Sequence, residues 1–251
     1  MTSVQGEGAV VPRWLVLWDI DGTLVLRASL SHARAVWAAL EEIHGVNGEG
    51  LKGSGAAGMT DSQISRAILT HAGIDADAID LHARRVVERV EAIYDPEDLR
   101  THVSPGIDGV LAELHARHDV VQSLVTGNYE RVARRKLEAA GLGRWFDPRW
   151  GGGFGSDHED RDRLPEIART RAGEALGAGP WSRERTVIVG DTPRDIACAR
   201  ADGVHVVAVT TGSHGRDDLA GADAVVDDAA ELREALNALV AATDPTSKDV
   251  L

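Results

Sequence analysis

Asp19 and Asp21 stand one residue apart where an apolar run ends, in Leu15-Val-Leu-Trp-Asp-Ile-Asp-Gly-Thr-Leu24. Alternate side chains of an extended strand share a face, so this spacing directs both carboxylates to one side. Carboxylates held together repel, and both stay ionised cheaply only with a cation between them. Mg²⁺ suits such a pair, since it takes carboxylates, waters and phosphate oxygens as ligands. The competing reading is a strand that ends in an acidic turn, because Asp-x-Asp-Gly is ordinary turn chemistry. Two further apolar runs end similarly. Val120–Val125 leads into Thr126-Gly127-Asn128, and Val187-Ile-Val-Gly-Asp-Thr-Pro-Arg-Asp195 supplies Asp191 and, four residues on, Asp195. A hydroxyl with free backbone N–H groups at a helix start forms an anion site, although an ordinary N-cap would use the same tripeptide. A capped helix start also accounts for Asp191 alone. It does not account for three strands ending in this chemistry, and sites of open parallel sheets lie beyond the strands' carboxyl ends.

Placing these groups together requires a particular set of elements. Short apolar strands are predicted at Trp14–Trp18, Val120–Val125, Thr186–Val189, Val204–Val209 and Ala224–Val226, as expected for strands covered on both faces. Helices are predicted at Asn128–Ala140, Leu164–Ala175, Pro193–Ala201 and Ala229–Val240. The alternation argues for an α/β fold with a parallel sheet. Between the first two strands the pattern is helical throughout. Leu30–His44 and Asp61–Ala72 carry apolar stripes, Thr60 or Asp61 can cap the second, and Asp77–Tyr94 supplies one or two more. The glycine-rich stretch Gly45 to Met59 reads as a flexible loop. The expected organisation is a tail over 1–12, an α/β core over 13–28 and 99–240, an α-helical insert over 29–98 and a second tail over 241–251.

Composition narrows the partners. The chain has 251 residues, 43% hydrophobic, and a net charge of −13 from 27 basic and 40 acidic side chains. That balance argues against a nucleic-acid or anionic-membrane surface. No apolar run approaches the ~18–20 residues of a membrane span, and the first residues lack the basic start and apolar core of a signal peptide. A cytoplasmic protein, monomer or homodimer, is expected. Cys198, the single cysteine, excludes an internal disulfide and reads as a small core residue. Trp145, Trp150 and Trp181 read as core or interface.

The segment Asp19-Ile-Asp-Gly-Thr-Leu24 resembles the first motif of the haloacid dehalogenase-like (HAD) superfamily, and Thr126 and Gly190-Asp-Thr-Pro-Arg-Asp195 match later motifs in the family's order. The chain is broadly similar to phosphoglycolate phosphatases. The resemblance covers most of the chain and implies a Rossmann-type parallel-sheet core with a small helical cap inserted after the first strand. It makes Asp19 the nucleophile, forming an aspartyl-phosphate. Asp21 becomes the general acid and base, its backbone carbonyl a metal ligand. Gly22 and Thr23 form the turn beside the phosphate, and Thr126, Gly127 and Asn128 hold phosphoryl oxygens. Asp191 ligates Mg²⁺, with Asp195 ligating through water or orienting the ligands. Dehalogenases and phosphonate hydrolases of the family lack the second aspartate, so Asp21 points to phosphate esters.

The chain departs from the family pattern in its third motif, a basic residue that is often Lys followed by Pro. Lys52, Lys136 and Lys248 are its only lysines, and none lies just ahead of Asp191. Arg161 is the expected replacement and Arg163 the second choice, since arginine carries the charge and adds a bidentate fork. Lys136 falls mid-helix and is expected on an exposed face; His158 is expected on a loop surface. The segment Gly53–Asp61 is the expected specificity loop of a mobile cap. Its neighbourhood brings Met59, Thr60 and Lys52 to the substrate, unless it is a solvent-exposed linker. Lys52 also raises Schiff-base chemistry like that of phosphonoacetaldehyde hydrolases, against which Asp21 argues. The expected activity is Mg²⁺-dependent hydrolysis of a small phosphorylated metabolite. The alternatives are a β-phosphoglucomutase-like phosphotransferase and a phosphoester-binding protein with an idle site.

Overall fold

Trp14–Trp18 form β1, and all five side chains are buried. Even-numbered residues of this strand face one apolar layer and odd-numbered residues the other, as the two-residue period of a strand requires. The computed structural model describes residues 14–26, 30–48 and 56–242. After β1 come α1 (Leu30–His44), α2 (Asp61–His71), α3 (Ala76–Ile93), α4 (Ile107–His115), β2 (Val120–Thr126), α5 (Glu130–Ala139) and β3 (Gly153–Phe154). They are followed by α6 (Leu164–Glu174), β4 (Thr186–Gly190), α7 (Pro193–Asp202), β5 (His205–Val209), β6 (Ala224–Val226) and α8 (Ala229–Ala242). The predicted strands stand within a residue of their observed bounds.

The six strands form one parallel sheet in the order β3-β2-β1-β4-β5-β6. Strand order reverses between β1 and β4, where Trp18 pairs with Val189. Such a reversal opens a crevice at the carboxyl ends of the strands. Helices α4 and α8 cover the Trp14, Val16 and Trp18 face, and α6 and α7 cover the Leu15 and Leu17 face. A buried pair ties the latter two helices together: Arg169 grips Asp202 through bonds of 2.6 and 2.8 Å.

Two elements lie outside the sequence expectations. β3 has only two residues at the sheet edge, too short for a pattern. α4 carries Ile107, Val110, Leu111 and Leu114 on one buried stripe, but Gly109 within it weakens its helical signal.

Helices α1, α2 and α3 enclose their own core around Val36, Leu40, Leu69, Val90 and Tyr94. Fully burying a side chain such as Leu40, which is 0% exposed, is worth ~1.5–3 kcal/mol. This core continues onto α5 through Tyr129 and Val132, so the helical unit is seated on the α/β layer. α3 is a single helix capped by Asp75. Thr60 begins α2 through a reciprocal capping box with Gln63. Among the described residues no helix is long and apolar enough to cross a membrane. Cys198 is buried in α7. Trp150 and Trp181 are core residues packed edge to face at 6.4 Å, whereas Trp145 is partly buried and donates to Asp108.

Candidate active site

The chain leaves β1 at Asp19, whose N–H still donates to Val189 O of β4 (2.9 Å). It then turns tightly: Leu24 and Val25 N–H both donate to Ile20 O at 2.9 Å. Gly22 has φ 90° at this turn, and a β-carbon there would lie 2.3 Å from an Asp191 carboxylate oxygen. Glycine is therefore demanded twice, by backbone conformation and by the approach of Asp191. Gly212 closes the other side, since its β-carbon would lie 1.7 Å from the same oxygen. Thr23 Oγ1 donates to Asp191 Oδ1 (3.2 Å), which orients that carboxylate.

Asp19, Asp191 and Asp195 converge beyond the ends of β1 and β4, each offering an oxygen within 4.8 Å of the others. All three are buried. Asp195 is held hard: Thr192 donates to its Oδ2 from both N (2.9 Å) and Oγ1 (2.7 Å), in the capping box that starts α7. Arg161 is 4% exposed. Its Nη2 lies 3.2 Å from Asp19 Oδ1 and also donates to Asp195 Oδ1. Three carboxylates against one guanidinium leave a negative excess. Two like charges at ~4 Å repel by roughly 4 kcal/mol at an effective dielectric near 20. Burial, and then the neighbouring carboxylates, push Asp19 up to about 7 and Asp191 up to about 8, although Arg161 opposes both shifts. A donor set made only of carboxylate oxygens with excess negative charge fits a hard divalent cation.

Asp21 faces elsewhere. Its carboxylate is bound by Lys136 Nζ (2.6 and 2.9 Å) and Asn128 Nδ2 (2.8 Å), and Lys136 also donates to Asn128 Oδ1 (2.7 Å). The spacing Asp-x-Asp thus does not set the two side chains around one cation, because Asp19 and Asp21 already lie in the turn past the strand. Burial favours the neutral form of Asp21, but the Lys136 ammonium, His32 and the hydrogen bonds outweigh it and hold the group below the usual carboxylate range.

Lys136 corrects an expectation. It is 1% exposed rather than on the surface of its helix. It shares the buried stripe of α5 with Val132, Ala133 and Leu137, and that helical spacing was a sequence signal for burial. Arg163 is exposed and lies 3.7 Å from Glu166, away from the cluster. His158 is exposed, as expected.

Thr126 is the last residue of β2 and fully buried, its Oγ1 accepting from Asn128 Nδ2 (2.9 Å). It does not cap α5, whose N-cap is Tyr129. Gly127 packs against the helical unit: its carbonyl accepts from Asp61 N–H (2.8 Å), and a β-carbon there would lie 2.3 Å from Met59 O. The segment that carries Gly58 and Met59 is drawn over the site by Arg161 Nη1, which donates to Gly58 O (3.0 Å), and by Arg194, which donates to Ala57 O (2.6 Å). Met59 lines the cavity, Thr60 is a buried cap, and Lys52 lies outside the described residues. Asp61, whose Oδ2 accepts from Tyr129 N–H (2.8 Å) and lies 3.0 Å from His32 Nε2, joins the site without having been singled out as more than a cap. Asp19, Asp21, Gly22, Thr126, Gly127, Asn128, Arg161 and Asp191 all line one cavity of about 600 Å³.

The family model for the haloacid dehalogenase-like hydrolases matches residues 16–200. The phosphoglycolate phosphatase of Rhodospirillum rubrum is 32% identical over 226 residues, 86% of this chain and 88% of that protein. Phosphoglycolate phosphatase 1 of Pseudomonas aeruginosa is 29% identical over 219 residues, 82% of this chain and 72% of its own length. Among solved structures, a β-phosphoglucomutase from Clostridium difficile superposes with a TM-score of 0.63 at 15% identity, covering 92% of this chain and all of the other. A hydrolase from Pseudomonas syringae does so with a TM-score of 0.60 at 20% identity, covering 90% and 98%. These two likenesses concern the fold.

Proposed function

This chain belongs to the haloacid dehalogenase-like hydrolases and is an enzyme of that class, and from that premise we propose that it is a Mg²⁺-dependent phosphatase acting on a small phosphomonoester through an aspartyl-phosphate. The observation that carries this reading is the convergence of Asp19, Asp191 and Asp195 around the guanidinium of Arg161 at the strand reversal.

Asp191 and Asp19, with the Asp21 backbone carbonyl, would hold the metal, and Asp195 would orient it, since both its oxygens already accept bonds. When bound, Mg²⁺ neutralises the cluster and the charge of the transferring phosphoryl group. Asp19 attacks phosphorus in line, forming the acyl-phosphate bond as the ester oxygen leaves. Asp21 gives its proton to that oxygen and then takes one from the water that cleaves the aspartyl-phosphate. Lys136 and Asn128 hold Asp21 ionised, the form that serves the second step. For the first step, a phosphate dianion entering beside Asp21 raises its affinity for a proton. Arg161 holds Asp19 in place and neutralises part of its charge. Thr126 and the backbone of Gly127 and Asn128 take phosphoryl oxygens, with Gly22 and Thr23 forming the turn beside them. Helices α1 to α3, within residues 29–98, act as a cap on the α/β core.

The test is phosphate release from a panel of phosphomonoesters with Mg²⁺, using Asp19→Asn as control. Hydrolysis lost in a folded Asp19→Asn protein supports the reading. Full activity of that variant sinks the covalent step, and release only in the presence of a sugar bisphosphate replaces hydrolysis by phosphoryl transfer between sugars.

A further inference from the structure

Two unlike sets of residues line the cavity. The α/β core lines it with Asp19, Asp191, Arg161 and Thr126, and helices α1 and α2 line it with Val36, Trp37, Ile64 and Ile68 beside the His32–Asp61 pair. Among the described residues that line it, the only side chains able to carry positive charge are Arg161 and His32. The two Nη groups of Arg161 are committed to Asp19, Asp195 and the Gly58 carbonyl, which balance its charge, and its buried Nε has no partner among the described residues. His32 lies 3.0 Å from the Asp61 carboxylate, which balances any charge it gains.

We propose that the organic part of the phosphoester is an uncharged, largely apolar alcohol seated against Val36, Trp37, Ile64 and Ile68, rather than a short alcohol bearing a carboxylate. This inference rests on the phosphatase reading above for its phosphate-binding end. A carboxylate placed against that wall would lose its water and find no unpaired cation among the described residues, which is costly. An alkyl or aryl group gains by leaving water for the same surface. Size agrees: about 600 Å³ is far more than a phosphoryl group on a two-carbon acid fills, and it lies within the ~300–1,000 Å³ of sites for larger small molecules. Two relatives named above are phosphoglycolate phosphatases, so the inference predicts a preference for this chain that differs from the substrate their names give.

The experiment compares benzyl phosphate with 2-phosphoglycolate, two esters of alkyl alcohols, using the full chain with Mg²⁺. Its second arm measures calorimetric binding of their non-hydrolysable counterparts, 2-phenylethylphosphonate and 3-phosphonopropionate. The wild-type protein is expected to favour the aromatic member of each pair by about tenfold or more, the scale on which a pocket discriminates. Ile64→Lys places a cation in the wall from a half-buried position on α2, and it should shrink or invert that ratio. Should that variant fail to fold, the wild-type binding ratio still decides. A preference for 2-phosphoglycolate and 3-phosphonopropionate overturns the inference and leaves the phosphatase reading standing. Absence of hydrolysis with the phenylethylphosphonate preference intact overturns the phosphatase reading and upholds the apolar wall.

Discussion

Lys136 places its ammonium 2.6 and 2.9 Å from the two oxygens of Asp21, across 115 residues of sequence, while sitting on the apolar stripe of α5 at 1% exposure. Its partner keeps 26% of its side chain in contact with solvent. The pair therefore joins a buried cation to a carboxylate at the edge of the cavity.

Lys136→Met keeps the volume and removes the charge. Breaking a buried pair costs ~3–5 kcal/mol, and the solvent that reaches Asp21 brings the expected loss to roughly 1–3 kcal/mol. Without that charge Asp21 keeps its proton to higher pH, so the base step on the aspartyl-phosphate suffers whichever ester is used. kcat should fall by ~10²-fold or more at low pH and recover as pH rises. A loss of the same size at every pH would assign Lys136 a purely structural role.

The acidic cluster sets a pH dependence. Asp19 and Asp191 hold protons up to about 7 and about 8, against 3.8 for an unperturbed aspartate. The metal-free folded state therefore binds more protons than the unfolded chain, and the associated stability is present at low pH and lost as pH rises through that window. Without metal, the melting temperature should drop between pH 6 and 9. Mg²⁺ displaces those protons, so the stabilisation it confers should grow over the same range. Thermal melts with EDTA and with Mg²⁺ at both pH values test this; a metal-free melt that rises toward pH 9 contradicts it.

Arg161 touches the nucleophile, Asp195 and the Gly58 carbonyl at once. Arg161→Gln should lower kcat by ~10²-fold or more, as removal of an electrostatic stabiliser typically does. Arg161→Lys keeps the charge but lacks the fork. It should recover part of kcat and retain a raised KM, because one ammonium cannot reach the cluster and Gly58 together. A wild-type KM in Arg161→Lys would remove the link to Gly58.

Gly127→Ala tests how closely the helical unit sits on the core. The new β-carbon would lie 2.3 Å from Met59 O, so the Gly58–Met59 segment must lift. kcat/KM should fall at least ~10-fold, and because the atoms met are backbone of Met59 and Thr60 the melting temperature should also fall, by the equivalent of about 1–3 kcal/mol. Unchanged kcat/KM would show that this close contact is not required for turnover.

The α/β class, the five longer strands and the positions of Asp19, Thr126 and Asp191 were legible in the chain because their signals are local. A short apolar run that ends in Gly, Asp or Thr reports its own burial and its own turn, and the order of such runs reports the alternation of the sheet. The helix start at Asp61 was legible for the same reason, through Thr60 and Gln63.

Pairing across the chain was not legible. Lys136 and Asp21 meet because α5 turns one stripe toward the end of β1, and residue spacing alone does not say whether a lysine on that stripe finds a carboxylate or solvent. The same holds for Arg161, chosen from sequence by charge and order, whose reach to Gly58 depends on how α2 seats against β2. The sequence by itself determined which strand ends carry acids and hydroxyls, since those are properties of neighbours along the chain. Only the tertiary structure decided that Asp21 belongs to Lys136, that Asp19 belongs to the Asp191 and Asp195 cluster, and that Val36, Trp37, Ile64 and Ile68 line the same cavity. Those are properties of distances of a few ångströms between residues a hundred or more positions apart, and such distances are set by packing.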